Sequence, residues 1–105
     1  MKNLVLLSMT MLHCTFGLAQ TSGVVVKADG DCPARYDRMV IETRSGYVLA
    51  EHYRGRFIEG RTVYGNLHSY GFKDVNVNGI DARIYIDDYM ASRDKALKWC
   101  FGDDK

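Results

Sequence analysis

The feature that most restricts how this chain can fold is the dipeptide Asn78-Gly79, which is a preferred loop of two-residue β-hairpins. A type I′ turn needs positive φ at both central residues, and asparagine followed by glycine adopts that conformation readily. Counting outward from the turn pairs residues 72–77 with residues 80–85. The pairs include Val77 with Ile80, Val75 with Ala82, Asp74 with Arg83 and Phe72 with Tyr85.

This register satisfies the apolar pattern and the charges together. Because side chains alternate along a strand, six apolar residues share one face: Val75, Val77, Ile80, Ala82, Ile84 and Ile86. The other face carries Asp74 opposite Arg83 as an ion pair, with Tyr85 beyond it. Agreement between a turn, a pattern and a charge pair is what specifies a structure, so we predict an antiparallel hairpin here.

A second hairpin is predicted from 39–43 and 47–51, two apolar-rich runs that Ser45-Gly46 can join as a tight loop. The expected pairs are Ile41 with Ala50 and Thr43 with Val48. Both faces of this hairpin are partly apolar, which favours a position covered on both sides, as in a barrel. Further strands are predicted at 24–26 and, from alternating residues, over 62–70.

The chain finishes with a predicted helix, for which Ser92 is a good N-cap and Gly102 a good C-cap. Its core-facing side is expected to hold Ala96, Leu97, Cys100 and Phe101. Together these elements predict a mainly β fold with one C-terminal α-helix. The sheet is expected to be a small antiparallel barrel of five or six strands, or a strongly twisted sheet, of SH3-like or OB-like architecture. Such an architecture implies no particular function.

Residues 1–19 have the three-part layout of a secretory signal peptide. Lys2 supplies the positive charge, residues 4–16 are largely apolar, and Gly17-Leu18-Ala19 supplies small residues before a cleavage site. We therefore expect residues 20–105 to form a single β-rich domain that is periplasmic or secreted and has no membrane span once the leader is removed.

The cysteines fit an exported domain, because Cys14 leaves with the leader and the mature chain keeps Cys32 and Cys100. An even pair in an oxidising compartment is expected to form a disulfide. The bond is useful here because a domain of this size buries a limited fraction of its surface. It would tie the beginning of the domain to its C-terminal helix.

The charge balance disfavours nucleic acid as a partner. The whole chain has a formal charge of +1, and once Lys2 is removed the basic and acidic side chains are equal in number. Proteins that bind nucleic acid draw much of their affinity from concentrated positive charge. No polybasic run indicates a membrane surface either.

The sequence contains no metal, cofactor or nucleophile motif. Only His52 and His68 remain after the leader, too few for a zinc site without distant carboxylates. The run Asp29-Gly30-Asp31 lacks the later positions of a calcium loop. The glycines and serines match neither a phosphate-binding loop nor a nucleophile elbow. We therefore expect a protein that is not an enzyme and has no cofactor.

One catalytic alternative remains, a small envelope hydrolase that uses Glu42, Glu51 or His52. In the predicted hairpin register the two glutamates are diagonal neighbours, about 7–8 Å apart between Cα atoms. Paired carboxylates of this kind serve as acid and base in glycosidases. A hydrolase of this type should show a concave site and a strongly shifted carboxylate pKa. A purely structural secreted protein is a further possibility.

The most suggestive feature is aromatic, since all seven tyrosines lie in the mature chain. Tyrosine offers a large contact area with a polar tip and is common in recognition surfaces. Several tyrosines alternate with polar residues on the face opposite the predicted core. We expect this Tyr-rich face to bind a protein, peptide or glycan of the cell envelope or extracellular space. Its expected ligand-binding residues are Tyr64, Asn66, His68, Tyr70, Arg83 and Tyr85.

Overall fold

The computed structural model describes residues 21–102, and the predicted leader lies outside the described residues. Six antiparallel strands close into a barrel, and one helix follows them. The elements are β1 (Thr21–Lys27), β2 (Arg38–Thr43), β3 (Gly46–Arg54), β4 (Thr62–Gly65), β5 (Gly71–Val77), β6 (Ile80–Ala91) and α1 (Arg93–Phe101). Their order around the barrel is β1-β2-β3-β6-β5-β4, with β4 paired to β1. The predicted mainly β barrel with a C-terminal helix is confirmed.

The β5–β6 hairpin has the predicted register throughout. Asn78 and Gly79 both have positive φ, at 54° and 85°. Val77 lies opposite Ile80, and the pairing continues to Gly71 opposite Ile86. Beyond that point β6 runs on to Ala91 and pairs with β3 on its other side. The longest strand is therefore shared between a local hairpin and a distant partner.

The loop of the β2–β3 hairpin lies one residue earlier in the chain than predicted. It is Arg44-Ser45, so the pairing shifts by two residues and Ile41 lies opposite Val48 rather than Ala50. The Thr43 hydroxyl explains the position of the loop, because it donates to the Gly46 carbonyl at 2.8 Å and accepts from the Ser45 amide at 3.2 Å. A shift of two residues keeps every side chain on its own face. The apolar face therefore survives the shift, and Met39, Ile41, Val48 and Ala50 are fully buried.

The predicted strand over 62–70 ends at Gly65. The Thr21 hydroxyl donates to the Gly65 carbonyl at 2.8 Å and accepts from the Leu67 amide at 3.0 Å. These two bonds hold the chain in a turn in which Leu67 is fully buried. The following residues therefore leave the sheet and return to it at Gly71.

Two apolar clusters stabilise the domain, one inside the barrel and one between the barrel and α1. The second consists of Cys32, Val40, Leu49, Ala91, Ala96 and Cys100. The predicted disulfide between Cys32 and Cys100 is present and spans 68 residues of sequence. A disulfide fits a protein that matures outside the cytoplasm. No helix within residues 21–102 is both long enough and apolar enough to cross a membrane.

Helix α1 begins and ends as predicted. The Ser92 hydroxyl accepts from the Lys95 amide at 3.2 Å, and the Gly102 amide donates to the Lys98 carbonyl at 2.8 Å. Its buried face is narrower than predicted, because Leu97 and Phe101 remain half-exposed at the edge of the barrel. The helix has nine residues and contacts the barrel over a short length, so only Ala96 and Cys100 are buried.

Candidate functional site

Three aromatic rings meet on the outer surface of β3, β6 and β5. The ring centroids of Tyr53 and Phe72 are 4.6 Å apart, and those of Phe72 and Tyr85 are 4.8 Å apart. Both contacts are edge-to-face, with interplanar angles of 90° and 82°. The Arg83 guanidinium lies 5.0 Å from the centre of the Phe72 ring. We call Tyr53, Phe72, Arg83 and Tyr85 the aromatic patch.

The aromatic patch is exposed although its rings contact one another. Tyr53 is 56% and Phe72 44% exposed. Asp74 lies beside the patch, 3.3 Å from Arg83 and 3.8 Å from Arg54. Two guanidinium groups share one carboxylate, so the polar edge of the patch has an excess of positive charge. The contacts between the rings fix their geometry before any partner arrives.

The remaining predicted binding residues are not part of the aromatic patch. Tyr64 lies opposite Asn76 on β5, four residues along that strand from Phe72. The Tyr70 ring is 4.9 Å from Tyr89. His68 accepts from or donates to the Ser45 hydroxyl at 3.0 Å, which places it near the β2–β3 loop.

Asn66 has a local role in the turn between β4 and β5. Its side-chain oxygen accepts from the His68 amide at 3.3 Å, which holds the backbone of that turn. The structure thus brings Arg83 and Tyr85 together and places the other four predicted residues elsewhere around the barrel. Tyr53 and Phe72 were missing from the predicted set. Phe72 could have been added from its position opposite Tyr85, whereas Tyr53 reaches the patch only through the β3–β6 pairing.

The three residues of the hydrolase alternative do not come together. Glu42 lies opposite Tyr47, and Glu51 lies four residues further along β3, so the two glutamates are not the diagonal neighbours that the predicted register implied. His52 bonds the Gly55 carbonyl at 2.7 Å and contacts the Phe57 ring edge-on. These contacts give His52 a structural role at the end of β3.

A different carboxyl pair forms between Glu51 and Asp87. Burial, then a hydrogen bond to Glu51 and the negative charge of Glu51, raise the pKa of Asp87 from 3.8 to about 7. Arg38 and Arg35 oppose this rise, since both guanidinium groups lie near the pair. The pair therefore holds one proton at mildly acidic pH.

The Glu51–Asp87 pair is connected to helix α1 through Arg38. Arg38 lies opposite Glu51 in the sheet, and its guanidinium stacks 4.0 Å from the centre of the Trp99 ring. One of its terminal nitrogens also donates to the Trp99 carbonyl at 2.9 Å. The Oδ2 atom of Asp87 is buried away from solvent. That oxygen is therefore closed to a substrate, whereas the Glu51 side chain keeps 21% of its surface exposed.

The described part of the chain contains no cluster of three or more His, Cys, Asp or Glu side chains that could hold a metal ion. The aromatic patch offers an exposed surface for contact with a partner. Comparison with protein-family models, curated proteins and solved structures finds no match for this chain.

Proposed function

We propose that this protein is an exported, non-enzymatic binding module that docks a protein or peptide through the aromatic patch. The observation that carries the proposal is the exposed edge-to-face contact of Tyr53, Phe72 and Tyr85 beneath Arg83. Aromatic residues and arginine are the side chains most enriched at protein interfaces and at their hot spots.

The rigidity of the patch favours binding. Each ring is already held by its neighbour, and the Tyr85 ring at the end of the row lies on β6 where that strand is paired with both β3 and β5. Fewer side-chain rotamers then have to be fixed on association, which lowers the entropic cost of binding. The edge-to-face geometry also presents ring edges and gaps rather than one flat platform. Such a surface suits the irregular side chains of a protein or peptide.

Charge defines the chemistry of the partner. Arg54 and Arg83 outnumber Asp74 at the edge of the patch. Complementary potentials guide association and favour the correct partner. We therefore expect the partner to present an aromatic or aliphatic side chain with a carboxylate close to it.

The test is selection of peptides from a random library against the wild-type domain, followed by affinity measurement on variants. The selected peptides should be enriched in acidic residues next to aromatic or aliphatic ones. Their affinity should fall at least about ten-fold for Tyr53→Ser/Phe72→Ser, because both substitutions remove hot-spot rings. Isothermal titration calorimetry gives the affinities, and circular dichroism shows that the barrel is intact.

Tyr36→Ser is the matched control, since Tyr36 is 84% exposed and belongs to no aromatic contact among residues 21–102. This variant should bind the selected peptides like the wild type. Equal affinity of all three proteins, or a selection that yields no binding peptide, would show that the aromatic patch is not a docking surface.

Export to the periplasm or the extracellular space is the second part of the proposal. It is supported by the leader pattern and by the Cys32–Cys100 disulfide. We expect the protein recovered from its native source to begin at Gln20 and to have both remaining cysteines oxidised. Intact-mass spectrometry with and without alkylation measures both properties. A product that retains Met1 and two free thiols would contradict export.

A further inference from the structure

A groove of mixed polar and apolar lining runs along the outer surface of β1, between β2 and β4. Its main part has a volume of about 570 Å³, and a second part of about 240 Å³ continues it toward the β2–β3 loop. Ser22, Thr43 and Arg44 line both parts. We call the whole feature the β1 groove. Because β1 and β6 are opposite each other in the ring of strands, the groove is separate from the aromatic patch.

The walls of the β1 groove combine one aromatic ring with balanced charges and hydroxyls. Tyr64 is 50% exposed on the β4 side, and Glu42 and Arg44 line the β2 side. Neither charged group forms an ion pair with another of the described residues. Ser22 on β1 and Thr62 on β4 add hydroxyl groups, and the exposed Val24 side chain lies on β1 opposite Thr62. A carboxylate accepts, a guanidinium donates, and a hydroxyl does both.

From this donor and acceptor set we propose that the β1 groove binds a neutral saccharide chain. A sugar ring has an apolar C–H face that can pack on the Tyr64 ring, and an edge of hydroxyls that both donate and accept. Glu42 and Arg44 together carry no net charge, so the groove selects for polarity rather than for charge. The main part, at about 570 Å³, lies in the volume range of sites that hold a drug-sized ligand, which leaves room for more than one sugar unit.

The sheet itself argues against an extended peptide as the occupant. Peptides that bind along a strand gain much of their affinity from backbone hydrogen bonds to a free sheet edge. β1 is paired with β4 from Thr21 to Val24 and with β2 from Val24 onward. Only Thr21 to Gly23 lack a partner on the β2 side, a stretch too short to take up an extended peptide as an added strand. Recognition in the groove must therefore come mainly from side chains.

The far end of the groove is held in place by local hydrogen bonds. His68 bonds the Ser45 hydroxyl at 3.0 Å, and Thr21 fixes the β4–β5 turn through Gly65. Both Ser45 and His68 line this end. A preformed site loses less entropy when its ligand binds.

The experiment is a ¹H–¹⁵N NMR titration of the domain with three neutral tetrasaccharides: cellotetraose, maltotetraose and the tetramer of N-acetylglucosamine. At least one should shift the amide signals of Ser22, Glu42 and Tyr64. The variant Tyr64→Ala/Glu42→Gln should bind it at least about ten-fold more weakly, because both the stacking ring and the charged acceptor are lost.

Tyr53→Ala is the matched control, because it removes an equally exposed tyrosine from the aromatic patch and leaves the groove intact. It should bind the saccharide like the wild type. The saccharide-binding proposal can therefore be refuted without refuting the proposal that the aromatic patch binds a protein. Three outcomes would overturn the saccharide site: no shift with any neutral tetrasaccharide, shifts confined to the aromatic patch, or undiminished binding by Tyr64→Ala/Glu42→Gln.

Discussion

Replacing Cys32 and Cys100 by alanine should lower the free energy of unfolding by about 4 kcal/mol, the chain-entropy value for a bond that closes a loop of this length. The two cysteines are 68 residues apart in sequence and both are buried. Without the bond, the unfolded chain gains many conformations, while the native state loses its link between the β1–β2 loop and α1. Urea unfolding followed by circular dichroism measures the change.

Two further measurements make this test specific. Wild-type protein kept reduced with dithiothreitol should unfold like the double variant, because both lack the same bond. Trp99 is the only tryptophan and lies on α1, so its fluorescence reports the docking of the helix. If only the helix detaches, the fluorescence transition should precede the loss of β structure. A double variant whose unfolding free energy stays within about 1 kcal/mol of the wild type would mean that packing alone holds the helix.

The local parts of the fold could be predicted from sequence because their signals lie close together in the chain. Asn78-Gly79 sets the β5–β6 register without help from any other element. The β2–β3 loop was misplaced because both Ser45-Gly46 and Arg44-Ser45 are plausible, and the choice depends on the Thr43 hydroxyl. The apolar face was still predicted correctly, since the two registers differ by an even number of residues.

The sites were harder to predict because they depend on how distant strands pair. β3 and β6 are joined with three irregularities in register, one of them between Leu49 and Ala50, which lie opposite Asp88 and Ile86. Asp87 is the extra residue of that bulge. Bulges redirect side chains, and none of the local patterns in the sequence marks this one. The Glu51–Asp87 pair therefore follows only from the structure.

Closure of the barrel also made the positions of the tyrosines hard to predict from sequence. Alternation along a strand tells which side chains point outward. The outer surface of a closed barrel faces all directions, however, so outward side chains on different strands can lie on opposite sides of the barrel. Residues predicted to share one face, such as Tyr64 and Tyr85, consequently belong to different sectors of the surface. Of the residues that the sequence indicated as a single Tyr-rich face, Arg83 and Tyr85 lie in the aromatic patch and Tyr64 and His68 line the β1 groove. Asn66 and Tyr70 belong to neither.

Replacing Asp87 by asparagine should stabilise the protein above neutral pH. The pKa of Asp87 is raised to about 7 in the native state by burial and by Glu51, against 3.8 when unperturbed. The native state therefore holds a proton that the unfolded chain releases between these two values, and wild-type stability falls as the pH rises from about 4 to 7. Asparagine has the same shape as the protonated acid and carries no charge at any pH.

We expect Asp87→Asn to be more stable than the wild type by about 2 kcal/mol at pH 8, and nearly equal to it at pH 4. The full pKa difference corresponds to about 4 kcal/mol; we expect about half of it, because Asp87 is only partly buried and solvent screens its charge. The measurement is the free energy of unfolding in urea across this pH range, compared between the two proteins. Taking the difference removes the contribution of the other titrating groups.

Asp88→Asn is the matched control, one residue away on β6. A hydrogen bond from Lys95, at 2.8 Å, lowers the pKa of Asp88. Its charged form is thus favoured in the native state, and its removal should destabilise the protein at neutral pH by an amount that diminishes in acid. Opposite signs for two adjacent aspartates would establish that the local surroundings of Asp87, its burial and Glu51, control the titration rather than the general charge of the strand. If Asp87→Asn instead loses stability at pH 8, the ionised carboxylate must be bound by Arg38, and the shared-proton description of the pair is wrong.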